Sequence, residues 1–74
     1  MATMKEVQRQ LDIHFNKDKN CGDEGFYFIM RESNVTSIKR YRDGGESTVI
    51  AGTINMLDYF VDGMKHLKYR GSVV

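Results

Sequence analysis

His14, Cys21 and Asp23 are the side chains whose types and spacing come nearest to a metal centre. Imidazole, thiolate and carboxylate are all zinc ligands, and a loop following a helix could bring Cys21 and Asp23 back toward His14. Asp62 and His66 stand four apart, so on a helix they share one face and could share an ion. Neither set has the doubled ligand pairs of a zinc finger or ribbon. The competing reading is a histidine beside the core and a solvated, hydrogen-bonded Asp–His pair. Zn2+ is thus an expectation resting on His14, Cys21 and Asp23, and the sequence requires no cofactor. Catalysis has less to build on. There is no Ser-His-Asp order, no glycine-rich phosphate loop and no pair of carboxylates placed for a cleft. The expectation is a protein without enzymatic activity.

Recognition chemistry is better represented. Lys39-Arg40-Tyr41-Arg42 offers cations for phosphates and an aromatic ring for a base. Consecutive strand residues alternate sides, however, so Lys39 and Tyr41 face one way and Arg40 and Arg42 the other. Such a run also reads as a solvated hairpin tip whose cations discourage edge pairing. Tyr59, Asp62, His66 and Tyr69 gather on the polar face of a helical segment, and aromatics in that position anchor protein interfaces. Scattered exposed tyrosines are also common on surfaces with no partner.

The elements that must position these groups follow from periodicity. Residues from about Thr3 to Asn16 read as an amphipathic helix, with Met4, Val7, Leu11 and Phe15 on one stripe. Thr3 and Glu6 form a capping-box pattern at its start, and Ile13 points away from the stripe. Asp18 to Asp23 reads as a loop in which Gly22 takes a positive φ. Phe26 to Glu32 is a strand, apolar on both faces. A turn at Ser33-Asn34 leads to a more polar strand, Val35 to Arg42. Asp43-Gly44-Gly45 is a hairpin signal, and Thr48 to Gly52 is the third strand. Thr53 caps a second helix with a stripe of Ile54, Leu57, Phe60, Val61, Met64 and Leu67, and Gly71 is its stop.

The expected fold is α+β: a three-stranded antiparallel sheet flanked by an N-terminal and a C-terminal helix, α-β-β-β-α, as one domain over residues 1–74. The simplest packing lays both helices on one sheet face. Phe26, Phe28, Met30, Ile38, Val49 and Ala51 would then face the helices. Tyr27, Ile29, Val35, Lys39, Tyr41 and Ile50 would form an apolar outer face, too apolar for ordinary surface. The alternative is one helix on each face with nothing left over.

Composition sets the outer limits. The chain has 74 residues, one cysteine, no proline and a net charge of +1. A domain this small has a thin core, and disulfides cannot reinforce it. The charge balance argues against an acidic nucleic-acid mimic and against a one-sided basic binder. No apolar run is long enough for a bilayer, and Met1-Ala2-Thr3-Met4-Lys5-Glu6 lacks the apolar stretch of a signal peptide. A cytoplasmic protein is expected.

The order of a capped helix, a hairpin turning at Asp43-Gly44-Gly45, then Thr48-Val49-Ile50-Ala51-Gly52-Thr53 running into Ile54-Asn55-Met56-Leu57, resembles small phage-encoded α-β-β-β-α proteins. Some anti-CRISPR inhibitors of type II effector nucleases look like this. The resemblance covers most of the chain as a pattern and carries no specific motif, so it transfers no functional residue. It implies a protein that binds a type II CRISPR nuclease and blocks target-DNA loading or cleavage. The near-neutral charge departs from the strongly acidic, DNA-imitating members. Inhibition would therefore occupy a protein surface or restrain a moving domain. The contact residues expected from the residues themselves are Tyr59, Asp62, His66 and Tyr69, with Lys39, Arg40, Tyr41 and Arg42 on the hairpin. The alternative is a small nucleic-acid-binding regulator acting through that hairpin. A homodimer hiding the same apolar groups is a further reading.

Overall fold

A computed structural model describes residues 3–71 of the chain. It has the expected order: α1 (Met4–His14), β1 (Tyr27–Glu32), β2 (Val35–Arg42), β3 (Gly45–Gly52) and α2 (Ile54–Gly71). The strands form one antiparallel sheet in the order β1-β2-β3. No helix among the described residues is long and apolar enough to cross a membrane.

Both helix starts are set by threonine caps. Thr3 Oγ1 accepts a bond from Glu6 N and Thr53 Oγ1 one from Met56 N, both at 3.2 Å, satisfying amides that a helix's first turn leaves without partners. The two hairpins are equally local in origin. Ser33 and Asn34 lie at φ 50° and 67°, and Asp43 and Gly44 at 53° and 77°, so each loop is two left-handed residues matching the strand twist. This makes β3 longer than the sequence suggests, because Gly45 is already its first residue.

Val7 and Leu11 of α1, Ile38 of β2, and Leu57 and Val61 of α2 are fully buried, with Tyr27, Ile29, Ile50, Ile54 and Phe60 packed around them. Both helices therefore lie on one face of the sheet. The expected side of β1 and β3 is reversed, however. Tyr27, Ile29 and Ile50 face the helices, while Phe28, Met30 and Ala51 sit on the open side with Val35, Lys39 and Tyr41. Ile38 is inward, as its apolar character demands.

Two features set this parity. Ile29 pairs directly with Ile38, so both must share a face. The pairing of β2 with β3 skips a residue between Ile38↔Ile50 and Lys39↔Thr48, leaving Val49 as a bulge. Val49 is thereby taken out of the core and left exposed.

α1 holds the outer edge of β1 with side-chain amides. Gln8 Oε1 accepts from Ile29 N at 2.8 Å, and Asn16 Oδ1 accepts from Tyr27 N at 2.8 Å. Asn16 Nδ2 and Gln8 Nε2 both donate to Tyr27 O, at 2.8 and 3.3 Å. Asp12 Oδ1 accepts from the same two amides at 2.9 Å each. Gln8, Asp12 and Asn16 recur every four residues, so they make one polar rail along the helix. The rail occupies backbone groups that an edge strand would otherwise offer to another chain.

Candidate protein-interaction surfaces

The proposed metal ligands are not brought together. His14 Nδ1 meets the Tyr69 hydroxyl, and the two rings stand edge to face at 5.5 Å. Cys21 is exposed, with its sulfur 3.7 Å from the Tyr41 hydroxyl. Asp23 organises its own loop, accepting from Asn20 N at 2.8 Å. Among the described residues, no group of three His, Cys, Asp or Glu side chains is gathered for an ion. The spacing of His14, Cys21 and Asp23 suggested a centre because a loop can close in sequence. In the fold, Tyr69 from the far end of the chain draws His14 to α2, while Cys21 lies beside β2. Asp62 and His66 do meet, at 3.6 Å, but Asp62 also reaches Lys65 at 3.7 Å, so this is an exposed ion-pair ladder.

His14 has its pKa lowered from 6.5, first by burial and then by the nearby positive charges of Lys65 and Lys68. Lys68 Nζ donates to His14 O, and Lys65 Nζ to Gln10 Oε1 at 3.0 Å. Lys68 therefore serves the negative end of the α1 dipole, which the neighbouring helix supplies with a cation. Tyr69, expected at an interface, thus also joins the two helices.

The basic run of β2 divides as strand alternation requires. Arg40 lies on the helix side, 5.9 Å from the centre of the Tyr27 ring. Lys39 lies on the open side and pairs with Glu46 at 3.3 Å. Arg42 is exposed beside Asp43 at 3.8 Å. Tyr41 joins an aromatic group with Phe28 and Phe26, at ring distances of 4.9 and 6.2 Å. Its hydroxyl titrates above the usual value of 10, first because of its hydrogen bond to Cys21, with desolvation and the charges of Cys21 and Glu46 adding. No single basic patch results.

Two apolar surfaces remain uncovered. One is the outward side of α2. Met56, Tyr59 and Leu67 are 53, 78 and 73% exposed. At 100° per residue they fall within about 80° of circumference, centred on Gly63. A Cβ at Gly63 would meet nothing within 4 Å. A mid-helix glycine costs roughly 0.5–1 kcal/mol relative to alanine, and the fold offers nothing in return at this position. Asp62 and His66 border the same stripe. The second, on the open sheet face, is smaller: Val35 is 53% exposed there, while Phe26, Phe28, Met30 and Tyr41 are half-buried and Ser37 is buried. Met56 and Gly63 are not among the site residues expected from the sequence. Leu67 fits the core stripe by its spacing, but in the fold it is 73% exposed. The signal for the stripe is the 56-59-63-67 spacing, a second apolar line on a helix that already has one.

No protein-family model matches the chain, and no curated protein or solved structure does either.

Proposed function

We propose that this chain is a non-enzymatic, protein-binding inhibitor that docks on a larger host protein through the outward face of α2. The observation that carries the reading is the stripe of Met56, Tyr59 and Leu67 around Gly63. Large apolar groups beside a glycine leave a notch into which a partner's side chain can descend, and a rim of Asp62 and His66 supplies polar contacts. The likeness to type II anti-CRISPR proteins names the partner class in this reading: a type II CRISPR effector nuclease, held so that target DNA cannot load or be cut. Acidic mimicry of DNA is not part of it, since the net charge is +1. The hairpin residues Lys39, Tyr41 and Arg42 are secondary contacts, and Arg40 is turned toward Tyr27. The test is capture of the nuclease by the purified chain. Tyr59→Ala with His66→Ala weakens capture while circular dichroism and melting stay unchanged. Full binding by that double variant removes the α2 face from consideration. A mobility shift of nucleic acid at low salt, lost steeply as salt rises, would favour the hairpin regulator instead.

A further inference from the structure

We propose that the end of the sheet beneath the start of α2 is a binding site for a small phosphate monoester of the nucleotide class. The register sets one row across all three strands there: Arg31 of β1 pairs with Thr36 of β2, and Thr36 with Gly52 of β3. Directly paired residues share a face, and Thr36 stands two residues before the inward Ile38, so the row faces the helices. α2 begins just beyond it, at Ile54. The row and the helix start together line a cavity of about 570 Å³, with Arg31, Thr36, Gly52, Ile54, Asn55 and Met56 among its walls.

The charges and free donors at this cavity suit an anion. Arg31 is exposed and makes no ion pair with a described residue. No Asp or Glu lines the cavity, and α2 has no acid in its first turn. Thr53 takes the amides of Met56 and Leu57 through its hydroxyl and carbonyl, but those of Ile54 and Asn55 have no acceptor among the described residues. They carry the positive end of an 18-residue helix dipole. Thr36 makes this more than a helix start. It is 7% exposed, yet its hydroxyl bonds to no described residue. Among the described residues no fully sealed side-chain polar atom lacks a partner, so this hydroxyl opens to the cavity that Thr36 lines. Gly52, its neighbour in the row, raises no side chain toward the helix. A phosphate monoester has three terminal oxygens for the guanidinium, the hydroxyl and the amides, where a carboxylate has two. The cavity exceeds a bare phosphate and falls in the size range of small-molecule sites. The body attached to the phosphate lies along Met56, which is 53% exposed and has its thioether over Gly52. The site is separate from the α2 docking face, since neither Tyr59 nor Leu67 lines it.

Titration of the isotope-labelled full chain with AMP, followed by amide NMR, tests the proposal. The expected result is saturable shifts, largest at Ile54 and Asn55, that adenosine does not produce. Inorganic phosphate shifts the same amides but binds more weakly than AMP, because it lacks the body. Arg31→Gln weakens AMP binding about tenfold or more, since it removes a charge-assisted contact. Thr36→Val weakens it about threefold to tenfold and leaves the melt unchanged, since the hydroxyl holds nothing in the fold, and Thr36→Ser keeps the binding. Should Thr36→Val disturb folding, the exposed Arg31 carries the test by itself. A short single strand with a terminal phosphate binds no more tightly than AMP, and tighter binding by about tenfold would overturn the small-molecule assignment. AMP that leaves Ile54 and Asn55 unshifted up to about 10 mM overturns the proposal. So does binding that adenosine matches, or that Arg31→Gln and Thr36→Val both leave unchanged. Nuclease capture survives Arg31→Gln, and AMP binding survives Tyr59→Ala with His66→Ala, so failure of this site and failure of the α2 reading are told apart.

Discussion

Replacing Asn16 by alanine takes away the partner of Tyr27 N and the shorter of the two bonds to Tyr27 O on the outer edge of β1. The Asn16 side chain is 5% exposed and makes three bonds: from Tyr27 N at 2.8 Å, to Tyr27 O at 2.8 Å, and to Asp12 at 2.9 Å. Asp12 keeps Gln8, so its loss is minor. Tyr27 N has no substitute, and Tyr27 O keeps only the longer bond from Gln8 at 3.3 Å. Two net bonds at about 1 kcal/mol each, plus up to about 1 more for a peptide group that water reaches poorly, come to roughly 2–3 kcal/mol. A domain of this size is stable by roughly 4–11 kcal/mol, so the loss is a large fraction. The melting temperature should fall by roughly 10–20 °C. Thermal and urea unfolding followed by circular dichroism measure it. Asn16→Asp should be at least as damaging at neutral pH, because it keeps the acceptor for Tyr27 N, removes the donor to Tyr27 O and sets a second carboxylate beside Asp12. A loss below about 0.5 kcal/mol for Asn16→Ala would mean that the rail does not hold the sheet edge, and would refute the packing of α1 on β1.

Gly63→Ala should stabilise the chain by about 0.5–1 kcal/mol, seen as a rise in melting temperature, because the added methyl meets no atom. His14 adds a pH dependence. Its folded pKa lies below the ordinary 6.5, so the unfolded chain binds the proton more readily. The stability is complete above pH 6.5 and declines as pH falls through the folded value, and His14→Gln should flatten that part of the melting-temperature profile. Cys21→Ala removes the largest cause of the raised Tyr41 titration, so tyrosinate absorbance should show one phenol moving back toward 10. An unchanged titration would place Tyr41 away from the thiol.

Much of the architecture was legible because it is local. Thr3 and Thr53 precede their helices, and Ser33-Asn34 and Asp43-Gly44 are residues that accept positive φ, so caps and turns could be read without tertiary information. The facing of the strands could not. Phe26 to Met30 is apolar throughout, so a two-residue period contains no choice of side there. The choice is made by Ile38 across the ladder, by amides of Gln8 and Asn16 from another element, and by a bulge at Val49. The Gln8-Asp12-Asn16 rail did have a signature, a four-residue polar repeat, but such repeats usually mean a solvated face. The His14–Tyr69 contact joins residues 55 apart, and no local pattern announces it. The place of Tyr59 and His66 on the outward side of α2 could be read from their spacing. The apolar stripe beside them could not, because Leu67 fits the core periodicity and only the fold shows it exposed.

The central claim is that the outward face of α2 binds a protein and that this binding is the function. Mixing the purified chain with a type II CRISPR effector nuclease, and following both complex formation and DNA cleavage, tests it most directly. A stoichiometric complex that stops cleavage, with both effects lost together in Tyr59→Ala/His66→Ala and in Gly63→Arg, is the predicted result. Absence of a complex, or inhibition that survives both variants, would contradict it.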